Sequence, residues 1–283
     1  MKKVLLLLLA AALCLSLCSC DSLLKKAKSY VTGVEESEMP DDYITSLENE
    51  DFKFDLYKSY VKLTAYIGEA TEVTLPTELE GKPVTVIGSL CFFETVGVTS
   101  VSISSSITTI EESAFYYCDK LTSIVIPDNV TKIGSRAFAW CDSLETVVLG
   151  SGLTEIPDYC FNHCAVLSVI SIPSNINNIG LRAFSYCEKL AQITVPATVS
   201  EVKERAFVGC PSLEFITFEN DSVVLGKNLF EESDKVVVIA ADNSSGKQYC
   251  EQYGLRWSTS KSVEAIILGS SESTQVDASE DSE

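Results

Sequence analysis

Histidine and basic residues are scarce in this 283-residue chain, and both shortages exclude classes of function. The sequence has 1 His, and its 21 Lys and Arg are outnumbered by 40 Asp and Glu, for a formal net charge of −19. A surface this acidic repels the phosphates of nucleic acids, so we expect no nucleic-acid partner. It also gives no electrostatic help in binding anionic lipid.

Motifs that carry chemistry are also missing. The sequence has no phosphate-binding glycine loop, no GxSxG, no HExxH and no DxDxDG calcium loop. No pair of carboxylates has a spacing typical of acid–base catalysis. We therefore predict that the protein is not an enzyme and has no catalytic residues, metal or cofactor.

The first 20 residues, MKKVLLLLLAAALCLSLCSC, have the form of a secretion signal, with two lysines before an apolar run. The run is short for a membrane-spanning helix of about 20 residues, and an uncleaved anchor is the alternative. The end, LCSC, resembles the bacterial lipobox. That resemblance implies cleavage after residue 19 and a diacylglycerol on Cys20, because Cys18 would place Leu17 where a small residue is needed. Two acyl chains suit stable anchoring.

This resemblance sets the predicted location. The protein would be exported and attached to the bacterial membrane only through its N-terminal lipid, facing the extracytoplasmic side. Loss of Lys2 and Lys3 with the leader leaves 19 basic against 40 acidic residues, a charge of −21. Residues 20–50, which include the acidic stretch GVEESEMPDD, are predicted to be a lipid anchor and tether, and residues 258–283 a polar acidic tail.

The central region is an internal repeat with a period of 23 residues. Apolar residues two apart near the end of each unit, such as Ile124 and Ile126, predict a strand with one buried face. The middle of the unit, as in SAFYYC, predicts one or two turns of helix. One such unit cannot close a core, so the units must stack, each covering the next. Six units and a degraded seventh (223–243) follow this pattern, and the six begin at Val84, Ile107, Val130, Leu153, Ile176 and Val199.

Two columns of the repeat define the predicted core. The ninth position of the six units is always phenylalanine, namely Phe92, Phe115, Phe138, Phe161, Phe184 and Phe207. Five units have cysteine three residues later, namely Cys118, Cys141, Cys164, Cys187 and Cys210. We interpret the cysteines as small apolar packing with reduced thiols, because side chains in one column run parallel and do not turn toward each other. Cys250 is predicted to be the most exposed.

Cys160, His163 and Cys164 form the best local set for a metal or a Cys–His nucleophile. Zinc needs ligands that converge from several directions, whereas the cysteines of the repeat lie in a line, one per unit. Cys160 and Cys164 fill core columns that hold alanine and cysteine in the other units, so no metal is needed to explain them. Nothing in the sequence orients His163 as a base. Its column also holds Tyr117, Trp140 and Tyr186, which predicts a stack of outer aromatic residues rather than a ligand set.

The pattern I-x-x-I-x-x-x-A-F-x-x-C-x-x-L-x-x-I-x-I-P, matched by ITTIEESAFYYCDKLTSIVIP (107–127), resembles the BspA-like (treponemal) leucine-rich repeat. The resemblance covers about 60–245. It implies an α/β repeat solenoid, a right-handed stack of about 6–7 strand-plus-short-helix rungs of 23 residues over 84–245. It further implies N-terminal cap strands at 51–83 and a C-terminal cap helix at 246–257.

A candidate binding face follows from the strands. The residues on either side of each buried strand residue are uncharged, and they form two outward columns: Ser100, Ser123, Thr146, Val169, Gln192 and Phe215, and Ser102, Val125, Val148, Ser171, Thr194 and Thr217. They form either a recognition face or simply a set of residues that suit an exposed sheet.

The family resemblance implies a surface protein that binds other proteins, for example in adhesion. The predicted function is therefore a lipid-anchored, extracytoplasmic protein-binding solenoid. The alternative is a glycan- or cell-wall-binding or envelope-structural module, in which Tyr117, Trp140 and Tyr186 stack on sugar rings.

Overall fold

Each 23-residue unit forms one rung of a solenoid with two short strands, in a computed structural model that describes residues 40–259. The predicted signal peptide, Cys20, the first part of the tether and the tail after Thr259 lie outside the described residues. Within residues 40–259, no helix has the length and apolar character needed to cross a bilayer.

The longer strands of successive rungs lie side by side and build one wall, which we call the front wall. Its pairs are parallel and in register, so that Thr146 lies between Ser123 and Val169 of the neighbouring rungs. The pairing runs continuously from the strand Glu72–Thr74 to Val169–Ser171 and again from Gln192–Val195 to Arg256–Ser258. In chain order the front wall consists of β4 (Glu72–Thr74), β7 (Ser100–Ser102), β9 (Ser123–Val125), β11 (Thr146–Val148), β13 (Val169–Ser171), β15 (Gln192–Val195), β17 (Phe215–Phe218), β19 (Val237–Ile239) and β20 (Arg256–Ser258).

Two-residue strands form the opposite side, the back wall. These pairs are also parallel, for example Thr109 with Lys132 and Asn178 with Glu201. The back wall consists of β8 (Thr109–Ile110), β10 (Lys132–Ile133), β12 (Glu155–Ile156), β14 (Asn178–Ile179), β16 (Glu201–Val202) and β18 (Val224–Leu225).

The core between the walls is a continuous stack of phenylalanine rings. The six rings of the ninth column are 0% exposed, and successive ring centroids lie 4.8, 5.1, 5.6, 5.5 and 5.5 Å apart. Tyr66 extends the stack at one end and Phe230 at the other. Because each ring packs on the rings of the next rungs, the core exists only between units.

The predicted helical turn in the middle of each rung is not present in the described residues, whose only α-helix lies in the C-terminal cap. Two residues per rung, four apart, have positive φ, such as Ser113 at 56° and Tyr117 at 60°. A right-handed helix requires negative φ. The N–H groups between them alternate in direction. Phe115 N donates to the Ala137 carbonyl of the next rung at 2.8 Å, whereas Ala114 N and Tyr116 N donate within the rung, each to a carbonyl three residues back.

Glycine alternates with larger residues at the fifth position of the rung, which gives the back of the solenoid a two-rung period. A Cβ on Gly134 would lie 2.3 Å from the amide nitrogen of Glu112, and one on Gly180 would lie 2.4 Å from that of Asp158. These rungs approach their neighbours too closely for a side chain. Ion pairs reach across the glycine rungs, such as Lys203 to Asp158 at 3.3 Å.

The N-terminal cap begins earlier than the predicted boundary at residue 51. Strand β1 (Tyr43–Glu48) pairs antiparallel with β2 (Phe52–Tyr57), although the sequence analysis placed residues 20–50 in the tether. The Tyr43 ring packs edge-on against Tyr57 at 5.8 Å, which helps to hold this strand. The remaining cap strands are β3 (Val61–Tyr66), β5 (Glu78–Leu79) and β6 (Lys82–Ile87), and β3 runs parallel to β6.

The C-terminal cap differs from the helix predicted at 246–257. Helix α1 spans Ser245–Tyr253 and ends at Gly254, whose φ of 66° is left-handed. The chain then forms β20, which pairs parallel with β19. The prediction that Cys250 is the most exposed cysteine is wrong, because Cys250 lies on the inner face of α1 at 0% exposure. Burial raises the pKa of its thiol to about 11.

Candidate recognition face

All twelve residues of the candidate face lie on the front wall, on β7, β9, β11, β13, β15 and β17. The middle residue of each strand points inward, as Val147 does at 2% exposure. Its neighbours point outward, and the valines among them are well exposed, Val125 at 58%, Val148 at 49% and Val169 at 56%. Ser100, Thr146, Phe215 and Thr217 are partly buried.

The two columns form one charge-free surface, which we call the neutral strip. Its six strands would span about 25 Å at the usual strand spacing. Strand register continues both columns beyond it, to Glu72 beside Ser100 at one end and to Arg256 beside Val237 at the other. Charged residues therefore enter these columns only after the strip has ended.

Acidic residues line the loops that lead into the front wall. Asp119, Asp142 and Glu188 occupy equivalent positions in their rungs. Partial burial, reinforced by the charges of Asp119 and Glu188, raises the pKa of Asp142. These carboxylates place negative charge on the loops before the strip, and Lys120 offsets part of it beside Asp119 at 3.3 Å.

The predicted outer aromatic stack is present and continuous, with its rings face to face. Ring centroids are 5.3 Å apart for Tyr117–Trp140, 3.8 Å for Trp140–His163 and 4.4 Å for His163–Tyr186. Gly209 closes the far end, since a Cβ there would lie 2.4 Å from the Tyr186 ring. The ring faces that a sugar would need are therefore occupied, and this geometry argues against the glycan-stacking alternative.

His163 and its neighbouring thiols do not form a reactive centre. Burial between the rings lowers the pKa of His163, although Glu188 acts in the opposite direction. Cys160 and Cys164 are both 0% exposed, and burial raises the pKa of each thiol. Over residues 40–259, no group of three or more His, Cys, Asp or Glu side chains is placed to hold a metal ion.

The cysteine column has a polar role that the sequence analysis missed. Each thiol donates a hydrogen bond to a phenylalanine carbonyl of the preceding rung, from Cys141 to Phe115 at 3.2 Å and from Cys164 to Phe138 at 3.2 Å, for example. In the seventh unit, Ser233 Oγ donates in the same way to the Phe207 carbonyl at 2.9 Å. The sequence signal for this polar role is the serine that stands in the cysteine column of the seventh unit. Serine, like cysteine, has a hydrogen-bond donor in its side chain, but it lacks the apolar character of cysteine.

This role predicts different outcomes for two substitutions of Cys141. Cys141→Ala should cost about 0.5–1.5 kcal/mol of unfolding free energy, because it removes the hydrogen bond of the thiol to the buried Phe115 carbonyl, which still accepts from Cys118 N at 3.2 Å. Cys141→Ser keeps a donor and should cost less. Denaturant unfolding of both variants measures the difference. Equal loss for serine and alanine would show that the thiol acts through packing alone.

Comparison with known proteins identifies the repeat. Residues 66–121 and 108–237 match the BspA type leucine rich repeat region in 6 copies, which covers more than half of the chain. A leucine rich cell surface protein from Faecalibacterium prausnitzii is 30% identical with a TM-score of 0.63, over 74% of this chain and 56% of that one. A leucine-rich repeat protein from Eubacterium ventriosum is 25% identical with a TM-score of 0.56, over 66% and 49%.

This chain thus spans about half the length of these two proteins. No curated protein matches it. The matched repeat region includes both the phenylalanine column and the whole of the neutral strip. The chain belongs to the BspA-type leucine-rich repeat family.

Proposed function

We propose that this protein binds a protein partner on the neutral strip, while a lipid on Cys20 anchors it to the outer side of a bacterial membrane. The observation that carries the proposal is a charge-free surface across six strands of a chain with a net charge of −19. Three outward valines, Val125, Val148 and Val169, are about half exposed on it. Depletion of charge is a feature of the central part of protein–protein interfaces.

The side chains of the strip favour binding energetically. Serine, threonine and valine lose little rotamer freedom on burial compared with lysine or glutamate. Desolvating them also avoids the cost of removing charges from water. The carboxylates of Asp119, Asp142 and Glu188 alongside would repel anionic surfaces and favour a partner with a basic rim.

A protein partner fits these observations better than a glycan. The rings of Tyr117, Trp140 and Tyr186 stack on their neighbours rather than facing solvent. Two crevices of about 170 and 220 Å³ on the described surface are smaller than ligand pockets of about 300–1,000 Å³. Repeat solenoids present extended binding surfaces, and the similar Faecalibacterium prausnitzii protein is a cell surface protein. Adhesion to a neighbouring or host cell is the role we assign to this binding.

The test separates the two partner classes. The chain without residues 1–20 is immobilised and exposed in parallel to detergent-solubilised cell-surface proteins and to purified cell-wall glycan. We expect the immobilised chain to retain specific proteins. This retention should disappear when the protein pool is first treated with protease. Retention of the glycan alone would contradict the proposal.

Lipidation at Cys20 is tested separately, since this residue lies outside the described structure and the proposal rests on LCSC after the apolar run. Mass spectrometry of the membrane fraction should find a lipid-modified N-terminus at Cys20. Cys20→Ser should abolish labelling by a fatty-acid analogue, and Cys18→Ser should retain it. Continued labelling of the Cys20 variant would reject the assignment.

A further inference from the structure

The first repeat unit carries a single charged residue. Among the residues from Val84 to Ser106, Glu94 is the only Asp, Glu, Lys or Arg. Its side chain is partly buried, and within residues 40–259 its carboxylate has no hydrogen bond or ion pair. Burial raises the pKa of Glu94. A partly buried charge without a partner costs free energy, so a cation from outside the chain would stabilise this carboxylate.

Carboxylates of the next rung differ from Glu94 in having basic partners. Glu111 pairs with Lys62 at 2.8 Å. Glu112 pairs with Arg136 at 3.2 Å. The first unit contains neither lysine nor arginine, and no basic side chain of the described residues lies close enough to Glu94 to lower its pKa. The chain therefore leaves this one carboxylate for a partner to neutralise.

Glu94 stands at the N-terminal end of the outer aromatic stack, in the column of Tyr117 and one unit earlier. The φ of Glu94 is 50° and that of Tyr117 is 60°. Glu94 N donates to the Tyr116 carbonyl at 3.2 Å, as Tyr117 N does to the Ala139 carbonyl at 3.1 Å. Because the two residues share a backbone conformation and a hydrogen-bond pattern, their side chains leave the chain in the same direction. The carboxylate therefore lies next to the Tyr117 ring.

Aromatic and aliphatic side chains lie beside this carboxylate. Phe93 is 38% exposed, and its ring stacks on Tyr116 with the centroids 6.0 Å apart. Tyr116 in turn meets Tyr117 edge-on at 4.7 Å. Val96, two residues after Glu94, is 87% exposed. One unpaired negative charge is thus combined with three rings and an exposed valine.

We propose that Glu94, Phe93 and Tyr117 form a binding site for a cationic side chain, and that its occupant is an arginine of the protein partner. A guanidinium group forms a two-point hydrogen-bonded pair with a carboxylate and also packs on aromatic rings. A lysine ammonium lacks the planar fork that both contacts use. The methylene groups of arginine would pack on Val96. The site rests on the proposed function only in taking its cation from a protein.

This site would give the partner a fixed position along the solenoid. The rungs of the neutral strip resemble one another, so the strip alone distinguishes poorly between one rung and the next. Glu94 lies in the segment that leads to β7 (Ser100–Ser102), the first strand of the strip. The next four units have an aromatic residue in its column, namely Tyr117, Trp140, His163 and Tyr186. An arginine that requires a carboxylate there therefore selects the first rung.

Nuclear magnetic resonance with a small probe tests the site without a partner protein. The chain without residues 1–20 is labelled with ¹³C in its valine methyl groups and titrated with N-acetyl-arginine amide. The signals of Val96 should shift as the probe concentration rises, and the valines of the strip, such as Val148, should not respond. N-acetyl-citrulline amide, which has nearly the shape of the arginine probe without its charge, should leave Val96 unchanged.

Matched substitutions assign the binding to one carboxylate. Glu94→Gln should weaken binding of the arginine probe by about 10-fold or more, because it removes a charge-assisted hydrogen bond. Glu155→Gln changes the net charge equally on an exposed residue of the back wall and should keep the wild-type affinity. The Glu94 variant should melt no lower than the wild type, since its carboxylate has no stabilising partner among the described residues.

The outcomes decide the site and its occupant. Equal responses to the arginine and citrulline probes, or full affinity in the Glu94 variant, would overturn the site without bearing on the neutral strip. Tighter binding of tetramethylammonium than of the arginine probe would assign the site to quaternary ammonium ligands and overturn the choice of arginine. Probe binding together with undiminished partner capture by Glu94→Gln would reject a partner's arginine as the occupant.

Discussion

Phe161→Ala is expected to cost about 3–5 kcal/mol of unfolding free energy, the range for a fully buried aromatic residue. The Phe161 ring is 0% exposed and stacks between Phe138 at 5.6 Å and Phe184 at 5.5 Å. Its removal opens a cavity at the centre of the stack, where neither neighbouring ring can close the gap without leaving its own rung.

The loss of stability caused by Phe161→Ala should spread to adjacent rungs but not through the whole chain. Each rung supports only its neighbours, so amide hydrogen exchange should accelerate first around Phe138 and Phe184. The ends of the solenoid, such as β2 and α1, should keep their protection longest.

Phe93→Ala is the matched control. Phe93 immediately follows the core residue Phe92 in the chain but is 38% exposed, and its ring contacts Tyr116 at 6.0 Å outside the core stack. Its removal should cost clearly less than that of Phe161. A Phe161 variant as stable as the wild type would show that the phenylalanine column does not hold the rungs together.

The columns of this fold could be predicted from the sequence because the stacking is parallel and in register. A residue 23 positions later lies directly above its counterpart, as Thr146 does above Ser123. The period-two pattern of Ile124 and Ile126 also gives the inward face of the strand unambiguously. The core and the location of the neutral strip on one wall follow from these two periods.

The middle of the rung could not be predicted in the same way. Tyr117, Trp140 and His163 have φ near +60°, a conformation that glycine would signal and that these residue types do not. Apolar residues four apart in SAFYYC fit a helix equally well, and the choice depends on hydrogen bonds to the next rung. The inward orientation of Cys250 and the pairing of β1 likewise depend on tertiary contacts that have no local sequence pattern.

The second large effect is expected from Val148→Lys combined with Val169→Lys on the neutral strip. Both side chains are about half exposed, at 49% and 56%, and point away from the core. Burying two unpaired ammonium groups in an interface costs several kcal/mol, so partner affinity should fall by about 100-fold or more. The fold should be unaffected, because surface substitutions of this kind usually change stability by about 0.5 kcal/mol or less.

The matched control adds the same two charges to the back wall. Val224 is 63% exposed on β18, and Thr154 is exposed beside β12. Val224→Lys combined with Thr154→Lys therefore changes the net charge equally without touching the strip.

Partner capture by these two variants, measured beside their melting temperatures, tests the central claim most directly. If the neutral strip is the recognition face, the front-wall variant (Val148→Lys with Val169→Lys) should lose partner capture. The back-wall variant (Val224→Lys with Thr154→Lys) should keep it, and both should melt near the wild-type temperature. Capture by a folded front-wall variant that equals the wild type would contradict it and place the binding site on another surface of the solenoid.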